Sequence, residues 1–361
     1  MMVGKYGPSI YCATDKNVYD ALHNKRISDN ALLNYLLDRG IVASPQASRE
    51  SLISQIAMLA FDYRNHLDIA VKLESQSIKD NLTNTRILGD MSLEDIEAAA
   101  TSFKKDLCDP GDNCDVSRTN SVIKIEIRYT EIDFSKTELA QRSNKVSYIE
   151  ISKEESDDGF LVRYSDTEKA ENACAKIIDS IAKGQKKGIE EFSISLRSLE
   201  NPEARTYFFD QLCRYMRGYR LDDVTGVDVH RSKVVKDDED VDVDQYIDKA
   251  QLKGKGVLNS KEFDQLTSMG FYTYYLAWTV VPQSGVGDKI EFEAKFKDPE
   301  LCEKFTYVVK GVYKKNGSSY NKTHKPPTPI DKKEYLRLLE DSSNKAYQSA
   351  IKNYGAESDE N

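Results

Sequence analysis

Val122-Ile-Lys-Ile-Glu-Ile-Arg-Tyr129 marks where the chain changes its period. Ile123, Ile125, Ile127 and Tyr129 alternate with Lys124, Glu126 and Arg128, a repeat of two that sets one strand face on a core and the other in water. Upstream, from about residue 15 to 107, the period is helical throughout. In Ser48 to Glu74, the residues Leu52, Ile56, Leu59, Tyr63, Leu67 and Ala70 recur at three- and four-residue steps, which predicts one long helix with a single apolar stripe. Ser92-Leu-Glu-Asp95 has the capping-box pattern and opens another helix that ends near Leu107. Between the two periods, residues 108 to 117 are dense in Asp, Pro, Gly and Asn, and the main domain boundary is expected there.

Downstream, Phe160 to Tyr164 and Phe192 to Leu196 read as further strands, with Asp166 as the N-cap of a helix over Thr167 to Lys183. Asn201-Pro202 pairs a capping residue with a first-turn proline, so a helix carrying Phe208, Leu212 and Tyr215 follows and stops at Gly218. Val224 to Val229 is another strand. Phe271 to Val281, Ile290 to Phe296 and Phe305 to Tyr313 are rich in aromatic and β-branched residues and separated by turn signals, as successive antiparallel strands are. A closing helix is expected from about Lys332 to Asn353, and the acidic run from Lys236 to Asp244 reads as a linker. These elements give an α+β or α/β class: a helical block over 1–107, a mixed β/α block over 118–232, and antiparallel strands with a closing helix over 245–354.

The 361 residues carry a net charge of −9, which argues against coating nucleic acid by bulk electrostatics and leaves room for a local basic surface. No apolar run reaches the roughly 20 residues of a membrane span, and the N-terminus shows no secretory h-region, so a cytoplasmic protein is expected. Its six cysteines and four histidines are scattered without metal-ligand or nucleophile spacing, so reduced thiols and no metal or cofactor are expected. Neither phosphate-binding glycine loops nor a hydrolase elbow occur.

Three constellations carry chemistry. The first runs from Ser28 to Ile56: a short helix with Leu32, Leu33, Leu36 and Leu37, then Arg39-Gly40-Ile41, a small connector, and Arg49-Glu50-Ser51-Leu52-Ile53 opening a second helix. Gly40 would end the first helix at positive φ, Ile41 would plug the junction and Ser48 would cap the second. This segment resembles the SAP-type helix-extended-helix module, although Pro45, Gln46 and Ala47 stand where that family often has a glycine and a lysine. The resemblance implies contact with DNA phosphates through Arg39 and Arg49, with Lys25 and Arg26 just upstream. It also implies membership of a DNA-processing or antiviral defence complex. The competing reading makes the leucines a plain helical core.

The second constellation is the basic segment Lys310 to Lys333, in which Lys310, Lys314, Lys315, Lys322, Lys325, Lys332 and Lys333 face a single acid, Asp331. Tyr313, Tyr320 and His324 lie among them, so the segment could track phosphates while rings stack on bases, or simply solubilise a loop. The third is Glu293 and Lys295, two apart on one strand face, as in a PD-(D/E)xK-type metal-dependent nuclease; an ordinary exposed strand face of Glu291, Glu293 and Lys295 has the same pattern. The expected function is a nucleic-acid-interacting accessory or scaffold subunit of a larger assembly. A nuclease, or a protein-interaction component without nucleic acid, stands as the alternative.

Overall fold

The computed structural model describes residues 14–73, 81–107, 111–154, 159–185, 188–231 and 248–355. In chain order the helices are α1 (Asp15–Leu22), α2 (Asp29–Leu37), α3 (Arg49–Ala57), α4 (Tyr63–Leu73), α5 (Leu93–Asp106), α6 (Glu168–Gly184), α7 (Pro202–Arg214), α8 (Lys261–Ser268) and α9 (Pro329–Tyr354). The principal strands are β1 (Leu82–Leu88), β2 (Asn113–Thr119), β3 (Val122–Ile132), β4 (Arg142–Lys153), β5 (Gly159–Ser165), β6 (Glu190–Phe192), β7 (Tyr219–His230), β8 (Lys249–Lys253), β9 (Tyr272–Pro282), β10 (Lys289–Asp298) and β11 (Glu303–Tyr313). The class is α+β, and the strand pairings described below are antiparallel, so the parallel α/β alternative does not hold.

Two compact units divide the chain, and each is assembled from three separated segments: Met1–Ile78, Met91–Ser152 and Thr167–Lys186 in the first, Lys79–Asp90, Lys153–Asp166 and Lys187–Asn361 in the second. That division cuts across the three consecutive blocks read from the sequence. In the first unit, α1 to α4 close around Val18, Leu22, Leu32, Leu36, Ile53, Ile56 and Ile69. The same unit holds the β2-β3-β4 meander, in which Ile123, Ile125 and Ile127 are buried while Lys124 and Arg128 are exposed, as the alternation requires. The second unit is a sheet in the order β5-β1-β11-β10-β9-β7-β8, with β6 also on β1. One face of its β9-β10-β11 portion, with Trp278, Phe292, Phe296 and Phe305, packs in one core with Phe208 and Phe209 of α7 and Leu339 and Ala346 of α9.

Several expectations need correction. The segment Ser48 to Glu74 is two helices, because Asp62 and Asn65 cap a new start: Asn65 N donates to Asp62 Oδ1 at 2.9 Å and Asp62 N donates to Asn65 Oδ1 at 3.2 Å. The break resets the phase, so α4 buries His66, Ile69 and Leu73, and leaves Tyr63 and Leu67 exposed. Residues 15 to 107 are not helical throughout, since β1 lies within them and pairs β5 and β11. Thr167, not Asp166, caps α6, accepting from Ala170 N; Asp166 pairs with Lys297 at 2.5 Å instead. The strand expected over Phe192 to Leu196 ends at Phe192, and α9 begins earlier, at Pro329 behind the Thr328 cap. The acidic run at Lys236 to Asp244 lies outside the described residues.

Candidate charged site on the polar sheet face

Along β10 the even positions Ile290, Phe292, Ala294 and Phe296 enter the aromatic core, so Glu291, Glu293 and Lys295 share the opposite face. Two constellations that the sequence keeps apart meet there. The register between β10 and β11 slips after Glu291: Glu291 faces Gly311, whereas Phe292 faces Val309. Lys310 is thus the extra residue of a β-bulge, and the bulge aims its ammonium at both carboxylates. Lys310 Nζ donates to Glu293 Oε1 at 2.5 Å and lies 3.3 Å from Glu291 Oε1. Tyr275 OH of β9 donates to the same Glu293 Oε1 at 2.8 Å, and Tyr313 OH donates to Glu291 Oε2 at 2.6 Å.

His324 completes the cluster with Nδ1 3.4 Å from Glu291 Oε2. Its loop is pinned by the backbone pair of Val312 and Lys325, at 2.8 and 2.9 Å. Only glycine leaves room beneath it, since a Cβ on Gly311 would stand 2.5 Å from His324 Cδ2. An isolated glycine within a strand pattern, here Lys310-Gly311, was the sequence signal for this bulge and close approach. Tyr275 carried no such signal, because it sits in an aromatic run where Phe271, Tyr272 and Trp278 are core and the half-buried Tyr274 and Tyr275 look no different.

Burial alone would pull the Lys310 ammonium down, but the hydrogen bond and charge of Glu293, with Glu291 behind it, hold it above its ordinary value. Burial and then the bond to Glu291 push the Tyr313 phenol up to about 12, and burial followed by the bond to Glu293 raises Tyr275. Around neutral pH the lysine is therefore charged and both phenols keep their protons. None of the three is tuned as a nucleophile or a base. Among the described residues, no group of three or more His, Cys, Asp and Glu side chains is placed to hold a metal ion. Lys295 sits opposite Tyr275 in the β9-β10 ladder, on the same face as Glu293.

The other nominated cations are mostly engaged. Arg49 forms an ion pair with Asp29 at 2.5 Å and donates to the carbonyls of Leu22, Asn24 and Ile27, locking α3 against the α1-α2 connection. Arg39 donates to Tyr35 O and Asn65 Oδ1 and stacks over Phe61, and Arg26 donates to Leu73 O at 2.6 Å. Gly40 does take φ of +74° and Ser48 caps α3, while Ile41 stays 36% exposed and does not plug the junction. Lys314 pairs with Asp288 at 2.6 Å, Lys315 donates to Gly285 O, and Tyr320 lies near Lys289. Lys25, Lys322 and Lys325 are exposed, with no ion pair among the described residues. No protein-family model matches the chain, and no curated protein matches it either.

Proposed function

We propose that this chain is a non-catalytic subunit that docks a partner protein through its N-terminal helices. One observation carries the reading. Tyr63, Leu67 and Val71, four residues apart on α4, are 57%, 49% and 57% exposed, on a stripe distinct from the one that buries His66, Ile69 and Leu73. Leu37, Val42 and Met58 of the same helical segment are exposed too. Apolar surface concentrated in this way is the mark of an interaction face, and a four-residue repeat is the seam on which a second helix packs.

A second reading keeps nucleic acid as a ligand, carried by the exposed Lys322, Lys325, Lys332 and Lys333 that flank the start of α9. One set of proteins tests both. The full chain and its Leu67→Glu/Val71→Glu variant, matched by circular dichroism, are recovered from their native cells. A stoichiometric partner held by the first and lost by the second is expected. A partner set indifferent to the variant overturns the docking face. Fluorescence anisotropy with duplex DNA decides the second reading: it requires affinity that falls steeply with salt and drops again when Lys322 and Lys325 become Ala.

A further inference from the structure

A cleft of about 460 Å³ opens between α5 and α6 within the first unit. That volume suits a small organic ligand rather than a few waters. Ala99 and Phe103 from α5 and Ala173 from α6 are apolar groups in its lining. Lys169, Lys176 and Lys183 line it from α6. They recur every seven residues, two turns apart, so they stand in one row at intervals of roughly 10 Å. Lys169 is anchored by Asp112 at 2.5 Å. Lys176 and Lys183 are exposed, and neither forms an ion pair among the described residues. Opposite this row, Ser102 donates to Asp106 at 3.4 Å, giving the cleft one carboxylate rim.

We infer that this cleft binds a nucleotide, its phosphates on Lys176 and Lys183 and its planar base over Phe103 and the two alanines. The assignment follows from two kinds of surface being present together. Two ammonium groups without an ion pair among the described residues, in an acidic chain, call for an anion. The Phe103 ring between small alanines in the lining calls for a ring on the ligand, which a bare phosphate lacks.

The probes are ATP and inorganic tripolyphosphate, each titrated calorimetrically into the full chain at low salt. ATP is expected to bind at one site, with tripolyphosphate about tenfold weaker or worse because it has no ring to bury. Lys176→Ala/Lys183→Ala should weaken ATP by about tenfold or more, since two charge-assisted contacts are lost. Ser102→Trp fills the cleft from an exposed helix position without altering charge, and should abolish binding while the circular dichroism spectrum stays unchanged. The inference is overturned if ATP gives no heat at millimolar concentration, if tripolyphosphate equals ATP, or if the Ser102→Trp protein binds as well as the parent.

Discussion

Glu340 on α9 is 1% exposed, and its burial is tolerable only because every oxygen is answered. Arg163 grips it with Nε to Oε1 at 2.5 Å and Nη2 to Oε2 at 2.6 Å, Tyr307 OH donates to Oε1, and Asn84 Nδ2 donates to the Tyr307 oxygen at 3.1 Å. Burial and the Glu340 charge push the Tyr307 phenol far up, so it remains a donor. Glu340→Gln removes the buried charge that Arg163 and Tyr307 answer and is expected to cost about 3 kcal/mol, read from the urea midpoint. Arg163→Met with Glu340→Leu should recover part of that loss, because two apolar side chains leave no orphaned charge. A Glu340→Gln protein as stable as the parent would refute this account. Neither partner of this pair could be singled out in the sequence, where they are 177 positions apart. The pairing of Lys310 with Glu293 was hidden for a related reason: strand alternation puts each residue on a face, but only the bulge register brings the two together.

At the level of elements, what could be read locally was read well. β3, β9, β10 and β11 follow from alternation and turn residues, and α7 from Asn201 and Pro202, where Asn201 Oδ1 accepts from Glu203 N at 2.9 Å. What misled was periodicity that runs through a cap. The apolar steps from Leu52 to Ala70 continue unbroken in the sequence, yet the Asp62 side chain accepts from the Asn65 amide in the first turn of α4 and so favours a second helix start over a continuous one. β1 was missed because Leu82 to Leu88 is short and mixed, and its strand state comes from β5 and β11, far along the chain. Asp62→Ala is expected to cost about 1 kcal/mol and to speed amide exchange in the first turn of α4 while leaving α3 unchanged. Equal acceleration in both helices would mean that the break is not held by this cap.

For the whole molecule, the same groups that quiet the polar sheet face at neutral pH set how stability fails in alkali. The chain already carries a net charge of −9 and holds 21 tyrosines, so raising the pH adds negative charge to a molecule that repels itself. Lys310 holds its proton more tightly in the folded chain than in the unfolded one. Its contribution is therefore fully present below about pH 10, the unfolded lysine value, and is lost as pH rises through its folded pKa. Tyr313 works in the same direction: its phenol ionises near pH 10 when unfolded and only at about 12 when folded, so the unfolded state loses its proton first. The urea midpoint should be flat from neutrality to about pH 9 and then fall steadily. In Tyr313→Phe that alkaline limb should be shallower, since one of the protons that differ between the states is gone, whereas the neutral plateau drops by about 1 kcal/mol for the lost bond to Glu291. If the two proteins lose stability with the same slope above pH 10, the phenol is not part of the charged cluster in solution, and the arrangement of Lys310 between Glu291 and Glu293 loses its thermodynamic support.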